Sequence, residues 1–247
     1  MLGEMTREVD QFSFTYVFKW TWMSTEEKTV LEQLKRVRES SSRVHLAVPK
    51  SVERNEKIRN CVVVEIYKKY DETLYSKLKR DSVLSLEESL TYYASLLDAL
   101  SALHSVGLIH NDLKPDNIAV TKRNVLKLLD YGNMIDDPRR EVKKSGNRYY
   151  DTNYKMTRPE HEVFSATNIF LEMITGLAID CRSKELEDVE VPLALDRVRA
   201  KFGEGEILNL ITDVIALKKV GTAKGMLGHP IFRGKALYYA SKEKPRS

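Results

Sequence analysis

Leu108-Ile109-His110-Asn111-Asp112-Leu113-Lys114-Pro115-Asp116-Asn117 is the stretch on which the reading of this chain turns. It sets an acid, a lysine and an amide two and five residues apart, directly ahead of the short apolar run Ile118-Ala119-Val120. Thirteen residues beyond Asn117 a second acid sits in Leu128-Leu129-Asp130-Tyr131-Gly132. That combination suits phosphoryl transfer. One carboxylate orients an attacking hydroxyl, a lysine neutralises the moving phosphoryl group, and an amide with a second carboxylate holds Mg²⁺ on a nucleotide. The plainer alternative keeps the same residues for folding, with Asp130 capping a turn and Asn117 bonding backbone.

Bulk properties leave room for this chemistry. A chain of 247 residues suffices for one large domain or two small lobes with a real core. The net charge of +4 comes from scattered basic residues, which implies no specific nucleic-acid partner. Cys61 and Cys181 are far apart and both lie in apolar runs, so a disulfide framework or zinc site is not expected, and a reducing compartment is. The start Met1-Leu2-Gly3-Glu4 lacks a basic-then-apolar signal pattern, and no apolar run reaches the length of a membrane span. The expectation is an intracellular protein, cytoplasmic or nuclear, without a membrane partner.

Upstream of the opening stretch, residues 11–23 are rich in aromatic and β-branched residues and predict a strand, with Phe12, Phe14, Tyr16 and Phe18 alternating with smaller residues up to Lys19. Ser24 and Glu27 have capping-box spacing, and Val30, Leu31, Leu34 and Val37 give the stripe of a short helix. Val44–Val48 and Cys61–Ile66 predict two more strands, with Lys50–Asn60 as the charged turn between them. A second capping box, Ser85 and Glu88, opens a helix carrying Leu86, Leu90, Tyr93, Leu97, Leu100 and His104 on one side, with Gly107 as its C-terminal cap. The division expected is a strand-rich unit over residues 1–66 and a mainly helical one over 67–247. No internal repeat or low-complexity segment interrupts either.

Residues 108–117 resemble the catalytic loop of eukaryotic-type protein kinases, written HRDLKxxN, and Asp130-Tyr131-Gly132 resembles their DFG motif at the usual distance. Glu162-Val163-Phe164-Ser165 through Leu171-Glu172-Met173-Ile174-Thr175-Gly176 resembles the family's central helix. Thr222–Phe232 resembles its last helix and HPFF-like tail. The likeness runs from roughly 60 to 240 with the blocks in order. It implies an α+β, two-lobed fold with a reduced β-rich small lobe and a mainly helical large lobe. It also implies roles: Asp112 as catalytic base, Lys114 as the phosphate-contacting lysine of the Ser/Thr branch, and Asn117 and Asp130 as Mg²⁺ ligands. His110 is expected to be a buried core residue beside Tyr131, whose hydroxyl would need a partner. The nucleotide-contacting set implied is Lys19, Glu32, Glu65, Lys114, Asn117 and Asp130, for ATP with Mg²⁺ or Mn²⁺. Glu27 is the alternative helix partner of Lys19, with better helical phase than Glu32.

Four departures accompany the resemblance. No glycine lies between Gly3 and Gly107, and only eighteen residues precede Lys19, so the glycine-rich loop that covers ATP phosphates has no counterpart. The pairing of Lys19 is ambiguous. Asn111 replaces the arginine that receives an activation-segment phosphate, although Ser145, Tyr149, Tyr150 and Thr152 remain modifiable hydroxyls. Arg158-Pro159-Glu160 looks like the APE triplet but lies too close to the central helix, and Gly146–Asn153 fits the family spacing better. Two functions follow as expectations: an atypical Ser/Thr protein kinase acting on a protein hydroxyl, or a pseudokinase that regulates a protein partner. The HND and DYG spellings resemble those of compact kinases of large DNA viruses.

Overall fold

The computed structural model describes residues 2–9, 12–22, 36, 45–47, 51–55, 62–136, 147–150 and 156–232; the strands within 2–22, 51–55 and 62–68 are described by backbone register. The fold is two-lobed and α+β, with a small antiparallel sheet followed by a mainly helical lobe.

The sheet has the order β1-β2-β4-β3, built from β1 (Leu2–Val9), β2 (Phe12–Trp22), β3 (Ser51–Asn55) and β4 (Val62–Lys68). The aromatic-rich β2 and the valine-rich β4 pair centrally, as their β-propensity favours. One strand, β1, precedes the lysine strand and pairs with it from Val9↔Phe12 to Leu2↔Lys19.

Two strand expectations are corrected. The third strand is Ser51–Asn55, inside the stretch read as a charged turn. Among the described residues it is an edge strand paired with β4 alone, and Glu53 and Arg54 suit an edge, where charge discourages pairing with another chain. The run Val44–Val48 is instead represented by His45-Leu46-Ala47. Leu46 makes one parallel bridge to Leu128, and Ala47 N–H donates to Leu128 O at 3.0 Å. All three are buried, and Leu128 N–H donates to His45 O at 2.8 Å, so the segment pairs briefly with Leu128 of the large lobe rather than joining the four-stranded sheet. Arg36 alone of the expected helix after Ser24 is described, and it is helical; Ser24, Glu27, Val30, Leu31, Leu34 and Val37 lie outside the described residues.

In the large lobe, α1 (Leu74–Asp81) and α2 (Leu86–Ser105) follow the two-residue strand β5 (Glu72–Thr73). Ser85 caps α2 by accepting from Glu88 N–H at 3.2 Å, while the Glu88 carboxylate turns to Lys77 at 3.2 Å and to the Tyr92 hydroxyl at 3.0 Å. Half of the expected capping box therefore forms. At the other end Gly107 adopts φ +71°, its N–H reaching His104 O and Leu108 N–H reaching Leu103 O, each at 3.0 Å. This paired closure needs a left-handed residue, which glycine supplies without a Cβ penalty.

The helix α3 (Arg158–Thr175) is the buried axis of the lobe. Tyr93 of α2 stacks on Phe170 with centroids 4.7 Å apart, and Phe232 of the C-terminal turn tilts against Tyr93 at 5.4 Å. Arg158-Pro159-Glu160 forms the first turn of α3, with Thr157 N–H donating to Glu160 at 2.7 Å. Outside this core lie α4 (Lys184–Phe202), α5 (Glu206–Ile211) and the short α6 (Ala223–Met226). Among the described residues no helix is long and apolar enough to cross a membrane.

Candidate active site

The site grows from a hairpin. Strands β6 (Ile118–Val120) and β7 (Leu126–Leu128) pair with Ile118 opposite Leu128, and Leu129 N–H continues the ladder to Asn117 O at 2.8 Å. Asn117 and Asp130 therefore emerge at the same end of the hairpin. The loop leading into it is tied to the far side of Asp130, because Ile109 and Ile135 exchange backbone hydrogen bonds of 2.9 and 3.0 Å.

The Asp112 carboxylate is the hub of this loop, with its side chain 14% exposed. Its Oδ2 accepts from Lys114 Nζ at 2.9 Å, Asn117 Nδ2 at 3.1 Å and Asn133 Nδ2 at 3.3 Å. Its Oδ1 accepts from Asn147 Nδ2 at 3.2 Å. Asn147 also donates to Leu113 O at 2.9 Å and accepts from Tyr149 N–H at 3.1 Å, which fixes its amide orientation. A carboxylate held by one ammonium and three amides is locked in direction.

Beneath it, His110 is fully buried and sits edge-on to Tyr131 with centroids 5.7 Å apart. Its Nδ1 accepts from Asp112 N–H at 3.4 Å and its Nε2 lies 2.6 Å from Leu129 O, a pattern that puts the proton on Nε2. The buried Tyr131 hydroxyl finds its partner in Leu128 O at 2.9 Å. Histidine and tyrosine thus act as the floor of the loop.

The wall is Glu162, in the second turn of α3 and fully buried. Its Oε1 accepts from Asn111 N–H at 2.7 Å and from the Tyr150 hydroxyl at 3.3 Å, and its Oε2 pairs with His104 Nε2 at 2.8 Å. Burial pushes the Glu162 carboxyl upward, but the His104 bond and charge, the nearby His110 and the Asn111 amide outweigh it and hold the group below the ordinary carboxylate range. Tyr150 moves the other way: burial and the Glu162 charge raise its phenol well above the usual value. The Tyr150 oxygen also accepts from Leu113 N–H at 3.1 Å, so one buried hydroxyl serves both the loop and α3.

Tyr149 and Tyr150, read from sequence as modifiable hydroxyls, are in fact core residues, 7% and 3% exposed. Tyr149 donates to Glu172 at 2.8 Å, and burial beside that carboxylate raises its phenol. Burial likewise raises Glu172. Ser145, Thr152, Gly146 and Asn153 lie outside the described residues.

Of the residues expected from sequence, Asp112, Lys114 and Asn117 are brought together, and Asp130 stands at the same end of the hairpin. Asp130 has φ +58° and caps its own turn by accepting from Gly132 N–H at 3.2 Å. Lys19 and Glu65 are Cα partners across β2 and β4. Their side chains, and Glu32 altogether, lie outside the described residues. His104, Asn133, Asn147 and Glu162 have no site role from sequence, and Tyr150 and Arg158 have other readings there. Of these, His104 carried a signal, a polar residue on an otherwise apolar helical stripe.

Donor chemistry decides whether the hairpin end suits a nucleotide-bound divalent cation. Asn117 Nδ2 donates to Asp112 O at 2.8 Å as well as to Oδ2, which commits the nitrogen inward and leaves the amide oxygen as the ligating atom. An amide oxygen and a carboxylate are the hard donors that Mg²⁺ takes alongside substrate phosphates. Among the described residues no three His, Cys, Asp or Glu converge into an all-protein metal cage. The residues fit a cation shared between protein and phosphate.

The family model of the protein kinase domain matches residues 13–200, from within β2 almost to the end of α4. This chain belongs to the protein kinase family. Its relatives include 3-phosphoinositide-dependent protein kinase 1 of Arabidopsis thaliana, 39% identical over 61 residues, which is 25% of this chain and 12% of that protein. The probable serine/threonine-protein kinase RTK1 of Saccharomyces cerevisiae is 36% identical over 74 residues, 30% of this chain and 12% of the relative. Human ribosomal protein S6 kinase alpha-2 is 27% identical over 143 residues, 55% of this chain and 19% of the relative. The chain thus spans less than a fifth of the length of each of these relatives.

Proposed function

We propose that this chain is an atypical Ser/Thr protein kinase that transfers the γ-phosphoryl group of ATP to a protein hydroxyl. The observation that carries the reading is the convergence of Lys114 and Asn117 on one oxygen of Asp112, within 3.1 Å. Asp112 would accept the proton of the incoming hydroxyl, and Lys114 would shift its ammonium toward the transferred phosphoryl group as charge builds there. Asn117 and Asp130 would hold Mg²⁺, which screens the phosphate oxygens when bound. Lys19 on β2 would contact the nucleotide from the small lobe, with Glu32 as its helix partner and Glu65 beside it in register. A lysine two places after the acid, and relatives named as serine/threonine kinases, favour Ser or Thr as acceptor.

A second reading, a pseudokinase that binds and regulates a protein partner, is favoured by the lack of any glycine between Gly3 and Gly107, where backbone would cover the phosphates. One experiment separates the two. The purified protein is incubated with radiolabelled ATP, Mg²⁺ or Mn²⁺ and generic protein substrates, beside Asp112→Asn. Transfer that disappears in the variant supports the enzyme. Equal background in both, with no thermal shift on adding ATP and metal, supports the binding module.

A further inference from the structure

Asn111 stands where an arginine would receive a phosphate, yet its side chain is fully employed. Arg158 Nη1, from the first turn of α3, donates to Asn111 Oδ1 at 2.9 Å, and Asn111 Nδ2 donates to Asn133 O at 3.1 Å. Asn133 in turn donates its own Nδ2 to Asp112 Oδ2 at 3.3 Å. The three bonds form a continuous line from α3, through the catalytic loop, to the turn that carries Asp130, and back to the acid. Asn111 occupies φ +63°, a conformation asparagine tolerates better than most residues.

The chemistry of the position is specific. An amide accepts through oxygen and donates through nitrogen at once, so it can stand between a guanidinium and a carbonyl. An arginine has five donors and no acceptor, and would face Arg158 with like charge. We infer that Asn111 and Asn133 are positioning residues that fasten the Asp130 turn to the catalytic loop and aim Asp112 without any phosphate. The inference rests on the kinase reading for its catalytic consequence, while the fastening itself is a property of the fold. A phosphate then has no receiver at position 111, where the amide is engaged by Arg158 and by the Asn133 carbonyl.

Two measurements test this, one of them independent of activity. Hydrogen–deuterium exchange on Asn111→Ala should rise about fivefold or more across Tyr131–Asp136, with the peptides of α2 unchanged. Unaltered exchange over Tyr131–Asp136 overturns the fastening whether or not the protein transfers phosphate. In steady-state assays, Asn133→Ala and Asn133→Asp should lower kcat about tenfold while KM for ATP stays within about twofold. A general loss of structure would instead move the melting temperature and both constants together. Unchanged kcat in an active protein overturns the aiming role. Absence of transfer in the wild type overturns the kinase reading and the aiming role with it, and the exchange result alone then decides the fastening.

Discussion

Glu162 holds the backbone N–H of Asn111 at 2.7 Å, so the residue immediately before Asp112 hangs from a buried carboxylate of α3. The same side chain takes His104 and Tyr150, and one acid thereby joins α2, the catalytic loop and the 147–150 segment to the lobe's central helix. The acid's direction is set by long-range anchoring as much as by its own loop.

Glu162→Ala should therefore cost about 3–5 kcal/mol, because it strands His104, the Asn111 N–H and the Tyr150 hydroxyl together. Urea unfolding of the two proteins measures the difference. A loss below about 1 kcal/mol would show the anchor to be dispensable.

The ionisation of Glu162 also predicts a pH dependence. Its folded value is depressed below the ordinary 4.5, so its contribution is complete above that value and disappears as pH falls through the lower folded one. Glu162→Gln keeps the shape without the charge. Its melting temperature should lie below that of the wild type near neutrality and converge with it only as the pH falls past the ordinary carboxylate value and through the depressed folded one. Parallel curves down to acid pH would contradict the assignment.

Asp112→Asn should abolish transfer and also weaken the fold modestly, by about 1–2 kcal/mol. The carboxylate accepts four donors on two oxygens, and an asparagine offers one acceptor while turning an N–H toward a neighbouring amide. Differential scanning calorimetry beside the transfer assay checks both halves.

Tyr149 and Tyr150 should resist tyrosine kinases in the folded protein and become substrates only after unfolding, since both are buried with their hydroxyls engaged. Phosphopeptide mapping before and after urea treatment reads this directly. Tyr150→Phe should cost about 1–2 kcal/mol, because Leu113 N–H is left buried without its acceptor.

ATP with Mg²⁺ at about ten times its Kd should stabilise the protein by about 1.4 kcal/mol. Asp130→Asn should remove the metal-dependent part of that shift and leave the melting temperature without ligand nearly unchanged. A metal-independent shift of the same size in both proteins would remove Asp130 from the cation site.

Much of this was legible in sequence where the cause is local. The α2 stop at Gly107, the Ser85 cap and the spacing of Asp112, Lys114 and Asn117 all depend on residues within a few positions of one another. The edge strand Ser51–Asn55 was not legible, because a charged strand paired on one side carries no alternation. The apolar run around Leu46 does pair, but with Leu128 of the large lobe, and a run of apolar residues does not say which sheet it will meet. The contacts of Asp112 and its loop with Asn133, Asn147 and Glu162 close over sequence separations of 21, 35 and 51 residues, which no spacing rule reaches. In sequence Asn111 shows only a missing arginine, because its partners Arg158 and Asn133 lie 47 and 22 residues away.

Among the described residues, every side chain that touches Asp112 or suspends its loop comes from position 104 onward, and the small lobe's described side-chain contacts with the hairpin run through His45 to β7. The described anchors of the acid thus belong to the large lobe, and His104, Asn133, Asn147 and Glu162 are the positions from which a single substitution would turn it.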